Sequence, residues 1–155
     1  MSQKTFEKIK EILDKNKVEY SIIKHKPVRT SEEAAKERGI DMKSGAKSMI
    51  IRSEGRFYNF VLSAAKKIEW KTIKEILKSK SAGLATPKEV LENVDCEIGS
   101  VPPFCNIYGL KVYCDPSLLE NEKIDFNAGL LDVSINMKCE DWIKITKPEV
   151  VEFGK

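Results

Sequence analysis

Two eight-residue runs, Ala46–Ser53 and Arg56–Ser63, are separated by Glu54 and Gly55 alone. A link of two residues with glycine in it folds two strands back on each other, so the pair reads as an antiparallel hairpin. The rest of the chain must complete a sheet around that hairpin and cover its apolar faces.

The flanking patterns alternate between helix and strand. Phe6, Ile9, Ile12 and Leu13 recur at helical spacing and predict an amphipathic helix over residues 5–16. Residues 18–25 read as a strand. Thr30-Ser31-Glu32-Glu33 is a capping box, and the helix it opens ends at Gly39. Trp70, Ile73, Ile76 and Leu77 mark a second amphipathic helix. A short apolar segment, residues 82–85, precedes another capping box, with Thr86 as cap, Pro87 at the first helical position and Glu89 closing it. Further strands are expected over 107–114, 123–127 and 133–137, and Asp141, Trp142 and Ile143 fall in a last short helix. The pattern has no internal repeat, low-complexity tract or linker, and 155 residues suit one domain. The fold class is α+β, a mixed sheet surrounded by helices, over residues 1–155.

Composition narrows the function classes. At 41% hydrophobic and 33% charged the chain supports a packed core. It has no apolar run of about eighteen residues and its start lacks an apolar signal core, so a cytoplasmic address without a membrane span is expected. One histidine and four cysteines without a C-x-x-C pair argue against a zinc site and for free, half-buried structural thiols. The net charge of +3 is compatible with a nucleic-acid partner without requiring one.

Three places break the pattern. Period-two alternation puts Lys47 on one face of its strand with Met49 and Ile51. Its charge must reach either water at the strand edge or an anionic partner. Gly99-Ser100-Val101-Pro102-Pro103 is either a rigid turn or a nest in which the amides of Gly99, Ser100 and Val101 receive an oxyanion. His25, the single histidine, has no acidic orienter at a recognisable spacing, and a structural or substrate-positioning role suits it. Asn127-Ala128-Gly129, followed by Asp132 and Ser134, reads as a polar loop between strands. The chain lacks a G-x-x-x-x-G-K-[ST] phosphate loop, a G-x-G-x-x-G fingerprint, a G-x-S-x-G elbow and an H-E-x-x-H helix. Any catalysis must draw on charge, backbone amides and positioning.

In order and spacing, several segments resemble one family. They are His25-x-Pro27, Thr30-Ser31-Glu32-Glu33-Ala34-Ala35, Ala46-Lys47-Ser48, the hairpin, Ala85-x-Pro87-x-Glu89-Val90, Gly99-x-x-x-Pro103 and Asn127-Ala128-Gly129. Together they look like the YbaK/EbsC-type deacylases, relatives of the editing domain inserted in bacterial prolyl-tRNA synthetase, over residues 18–143.

The resemblance implies a barrel-like core and hydrolysis of the ester joining a mischarged amino acid to the 3′-terminal adenosine of tRNA. It gives Lys47 the principal role, holding a phosphate of that adenosine or the ester region. The 99–103 loop would set pocket size and offer amides to the oxyanion. His25, Thr30, Ser48, Asn127, Ala128 and Gly129 would line the pocket. No metal or organic cofactor is implied. The expected partners are mischarged tRNA, foremost tRNA(Pro) carrying alanine, cysteine, serine or threonine, and prolyl-tRNA synthetase. Gly99 to Phe104 carries the Gly-Ser-Val-x-Pro-Phe pattern of alanine-specific editors. Those editors place a histidine in or near the loop corresponding to residues 127–129, and this chain has none there. A monomer is expected. The competing reading is a catalytically weak module that binds tRNA or a synthetase. The ending at Lys155 leaves open whether the domain stands alone or belongs to a longer synthetase.

Overall fold

The computed structural model describes residues 2–27, 36 and 42–155. In chain order its elements are α1 (Ser2–Lys15), β1 (Tyr20–Lys24), a 3-10 turn (Met42–Ser44), β2 (Ala46–Ser53), β3 (Arg56–Ser63), α2 (Trp70–Leu77), β4 (Gly83–Leu84) and α3 (Pro87–Val94). A second 3-10 turn (Cys105–Tyr108), β5 (Val112–Cys114), α4 (Pro116–Leu119), β6 (Lys123–Leu130), β7 (Val133–Lys138), α5 (Cys139–Thr146) and β8 (Glu149–Val150) follow. The α+β class is as expected. The helix anticipated after Thr30 lies outside the described residues.

The strands form two open sheets, ordered β1-β7-β6 and β4-β2-β3-β5-β8. Among the described residues an isolated bridge, Gly45 to Asp125, joins them. The barrel-like closure expected of the core is therefore corrected: β3 pairs with β5 and β5 with β8 in parallel, and the larger sheet ends on β8 without returning to β4.

The hairpin falls where the two-residue link puts it, with Ala46 opposite Ser63 and Ser53 opposite Arg56. Gly55 takes a φ of 75°, which glycine adopts without penalty. β3 is covered on both faces. Val61 enters a core with Phe6, Ile9 and Leu13 of α1, Phe126, Ile135 and Trp142. Phe60 and Leu62 point the other way, into a cluster with Ile51, Ile73, Tyr113 and Phe153. A strand buried on both sides reads as a near-continuous apolar run, which is what Phe57 to Leu62 shows apart from Asn59.

Two expectations change here. The strand expected over 107–114 begins only at Val112, because residues 105–108 coil into a 3-10 turn closed by Gly109 at φ 81°. Asn127 to Gly129 form part of β6 rather than a loop. Asn127 pairs with Ser134 and Leu130 with Val133, so the register shifts across Ala128 and Gly129 as a bulge. The four cysteines are free and buried. No helix among the described residues is long and apolar enough to cross a membrane.

Candidate active site

The 99–103 loop leaves α3 through Asp95 in a left-handed conformation and turns at Gly99, whose φ is 94°. Its carbonyls are tied back to the body of the protein almost one by one. The Gly99 carbonyl accepts from Asn127 Nδ2 at 2.5 Å, and the Ser100 carbonyl from the Gly129 amide at 3.0 Å. The Pro102 carbonyl accepts from Ser48 Oγ at 3.1 Å and Cys105 Sγ at 3.4 Å, and the Pro103 carbonyl from the buried Trp142 Nε1 at 2.8 Å. Bonds from five residues on four elements hold the loop in one shape.

The donors are arranged differently. Pro102 and Pro103 have no amide hydrogen. The Ser100 amide closes onto the Glu97 carbonyl at 3.0 Å, and its hydroxyl reaches the same oxygen at 2.8 Å. The nest of three amides is thus corrected to two: Gly99 and Val101 carry the amides without an acceptor among the described residues. With its oxygens turned away and two donors left over, the loop suits an oxyanion.

Beneath it, Asn59 is wholly buried. Its Nδ2 donates to Ser48 Oγ at 2.8 Å, which aims that hydroxyl at Pro102, and its Oδ1 accepts from the Cys105 amide at 3.4 Å. Asn59 was not singled out from the sequence, although one amide inside an apolar strand is the kind of signal that marks a positioning residue.

A second chain of bonds supports the other end of the loop. His25 Nδ1 lies 2.7 Å from the Lys26 carbonyl and must donate to it, because a carbonyl only accepts. Nε2 lies 2.8 Å from Ser134 Oγ, and Ser134 donates at 3.2 Å to Asn127 Oδ1. Ser134 Oγ thus sits between His25 Nε2 and Asn127 Oδ1. His25, Ser134, Asn127 and Gly99 form one continuous strut.

Lys47 stands apart. It is half-buried, and its Nζ donates to the Lys66 carbonyl at 2.5 Å. Burial, and after it the charge of Lys67, hold the ammonium below the usual lysine range. Among the described residues no carboxylate lies in ion-pair range of it. Alternation sends Lys47 to the Met49 and Ile51 face of β2 and Ser48 to the opposite face, so it is Ser48 that meets the loop. A desolvated cation answered only by a carbonyl favours an incoming anion.

The structure therefore joins His25, Ser48, Asn127, Gly129 and residues 99–103 into one network, with Lys47 on the other side of β2. Ala128 does not line a pocket: it is fully buried in the main core. Thr30 lies outside the described residues. Among those residues no group of three histidine, cysteine or acidic side chains is placed to hold a metal ion.

Comparison with known proteins sets this fold in a family. Residues 25–145 match the family described as the aminoacyl-tRNA editing domain. Over 156 aligned residues, covering 97% of this chain and 93% of the relative, the chain is 30% identical to the multifunctional Ser/Thr-tRNA deacylase ProXp-y of Escherichia coli (strain K12). A stretch covering 70% of the chain is 25% identical to 19% of the length of the proline–tRNA ligase of Thermosipho melanesiensis. The fold superposes on the crystal structure of hypothetical protein APE2540 with a TM-score of 0.86, at 23% identity, covering 96% of this chain and 99% of that one. The chain belongs to the aminoacyl-tRNA editing domain family. It is a YbaK-type deacylase, an aminoacyl-tRNA hydrolase.

Proposed function

We propose that the protein acts in trans in the cytoplasm on mischarged tRNA, foremost tRNA(Pro) carrying a small non-cognate residue. Serine and threonine come first, since the Escherichia coli relative is a Ser/Thr-tRNA deacylase, with alanine and cysteine as further substrates. Prolyl-tRNA synthetase is the partner that would supply the tRNA. The observation that carries this reading is the 99–103 loop, with its carbonyls anchored and the Gly99 and Val101 amides left over.

An aminoacyl ester is already activated. Water attacks its carbonyl carbon, and the oxygen that gains charge rests on the two amides. Collapse breaks the bond from acyl carbon to ribose oxygen. That oxygen takes up a proton, and the free amino acid and the tRNA hydroxyl leave. Lys47, on the far face of β2 from Ser48, holds the phosphate of the terminal nucleotide and so positions the ester. Asn59, Ser48, Asn127, Ser134 and His25 keep the loop in the shape this requires, and Val101 and Pro102 bound the space for the side chain.

A small pocket separates substrates by a methylene only weakly, by about 1–3 kcal/mol, so more than one residue should be accepted. The test is a deacylation panel on tRNA(Pro) charged in turn with serine, threonine, alanine, cysteine and proline. Release of one or more non-cognate residues with prolyl-tRNA spared is the expected result. Release of none above the spontaneous rate, with or without prolyl-tRNA synthetase, would leave a binding module in place of an enzyme.

A further inference from the structure

One short stretch of this chain is densely basic. Residues 66–80 hold Lys66, Lys67, Lys71, Lys74, Lys78 and Lys80 against Glu69 and Glu75, which is six positive and two negative, or +4. The whole chain carries +3, so the other 140 residues come to −1. All six lysines are exposed. None is ion-paired among the described residues, and Glu69 is already engaged by Lys155 at 3.3 Å.

The fold turns this composition into a surface. α2 buries Ile73 against Ile51, Leu62 and Phe153, with Trp70, Ile76 and Leu77 packed beside it. Lys71 and Lys74, three apart, share one stripe of the helix, and Lys78 follows as its left-handed C-cap. Just before the helix, the Lys67 amide and carbonyl bond with those of Lys155 at 3.0 and 2.7 Å, which fixes the approach segment. Like charges at these spacings repel one another, and an unrelieved cluster of this kind is stabilised by a polyanion. The surface also begins at the site: the Lys66 carbonyl receives the Lys47 ammonium, and Lys67 is the charge that acts on it.

We propose that this face, from Lys66 along α2 to Lys80, seats the phosphate backbone of the tRNA acceptor stem, whose 3′ end then reaches Lys47 and the 99–103 loop. The inference rests on the deacylase reading for the direction of the 3′ end. The phosphate-binding surface itself rests on the charge and its placement. An acidic protein surface is the competing occupant.

The test compares wild type with a triple variant, Lys71→Ala, Lys74→Ala and Lys78→Ala. All three positions are exposed; Lys71 and Lys74 lie within α2, where alanine is favourable, and Lys78 is its C-cap. Binding of an uncharged acceptor-stem RNA minihelix is followed by fluorescence anisotropy across salt concentrations, and hydrolysis is followed on aminoacyl-tRNA and on a 3′-aminoacyl-adenosine ester without phosphates. Each lysine–phosphate contact contributes roughly 0.7–0.9 to the slope of log affinity against log salt. The triple variant should flatten that slope by about 2 and weaken minihelix binding at least tenfold at low salt. It should lower kcat/KM on aminoacyl-tRNA in proportion and leave the adenosine ester untouched. Glu75→Gln, on the same helix, should tighten minihelix binding, which a mere folding defect would not produce. Unchanged minihelix binding by the triple variant overturns the proposal, as does an equal loss on both ester substrates. If wild type hydrolyses neither ester, the deacylase reading fails, while the minihelix binding still decides this one.

Discussion

Asp115 offers a direct test of how the C-terminal tail is held against the sheet. Its side chain is almost wholly buried. Oδ2 accepts from the Ser117 amide at 3.0 Å and so caps α4, while Oδ1 accepts from the Phe153 and Gly154 amides, each at 2.7 Å. Burial alone would raise its pKa. Hydrogen bonds from the Ser117 hydroxyl and the Phe153, Gly154 and Ser117 amides outweigh that and bring it below the usual carboxylate range. The tail it holds places Phe153 edge-on against Phe60 at 5.0 Å, within the cluster that also carries α2. Asp115→Asn keeps the shape and one oxygen. With that oxygen on Phe153 and Gly154, the new NH₂ group faces the Ser117 amide, donor against donor. The lost cap costs about 1 kcal/mol. Changing a charged for a neutral acceptor costs about 1 kcal/mol for each remaining bond. The total is about 3 kcal/mol, or a Tm lower by roughly 6–12 °C at this chain length. Urea denaturation followed by circular dichroism at several pH values measures it. A depressed native pKa stabilises the fold above the unfolded value, about 3.9 for aspartate, and that contribution fades as pH falls through the native value. The gap between wild type and variant should therefore be full at neutral pH and shrink below about pH 4. Equal stability at neutral pH, or a gap that persists undiminished in acid, would refute the account of this carboxylate.

Three further substitutions address the loop. Asn127→Ala removes the donor to the Gly99 carbonyl and the acceptor for Ser134, and should lower kcat/KM about tenfold, near 1.4 kcal/mol of transition-state stabilisation, in steady-state deacylation assays. Gly99→Ala places a side chain on a residue at φ 94°, so deacylation should fall even where circular dichroism shows an intact fold. Trp142→Phe leaves the Pro103 carbonyl without its Nε1 donor and should cost about 1–3 kcal/mol in urea denaturation.

The parts of this fold that were legible in the sequence are those set by near neighbours. The Glu54-Gly55 link fixed the hairpin register, and the Thr86 capping box forms with both its bonds, Glu89 amide to Thr86 Oγ1 at 3.2 Å and Thr86 amide to Glu89 Oε1 at 2.9 Å. Alternation puts Lys47 on the face of Met49 and Ile51, and its cross-strand partner Leu62 lies in their cluster. What escaped depends on distant partners. Gly129 has a turn-former's local signature, yet pairing with β7 carries β6 through it as a bulge. The apolar run from Ile107 reads as strand, but among the described residues its first half has no strand to pair with and coils until Gly109. Within the site, Lys47 and the 99–103 loop stand out as departures from pattern. Asn59, Trp142 and Ser134 act through contacts far apart in the chain, and only the assembled sheets bring them to the loop.

The most direct test of the central claim is single-turnover hydrolysis of seryl- and threonyl-tRNA(Pro) by wild type and by Lys47→Ala, with folding checked by circular dichroism. Wild type should release both amino acids, and the variant should lose about a hundredfold or more, the scale on which a displaced substrate is felt. Near-normal hydrolysis by Lys47→Ala on both substrates would contradict it.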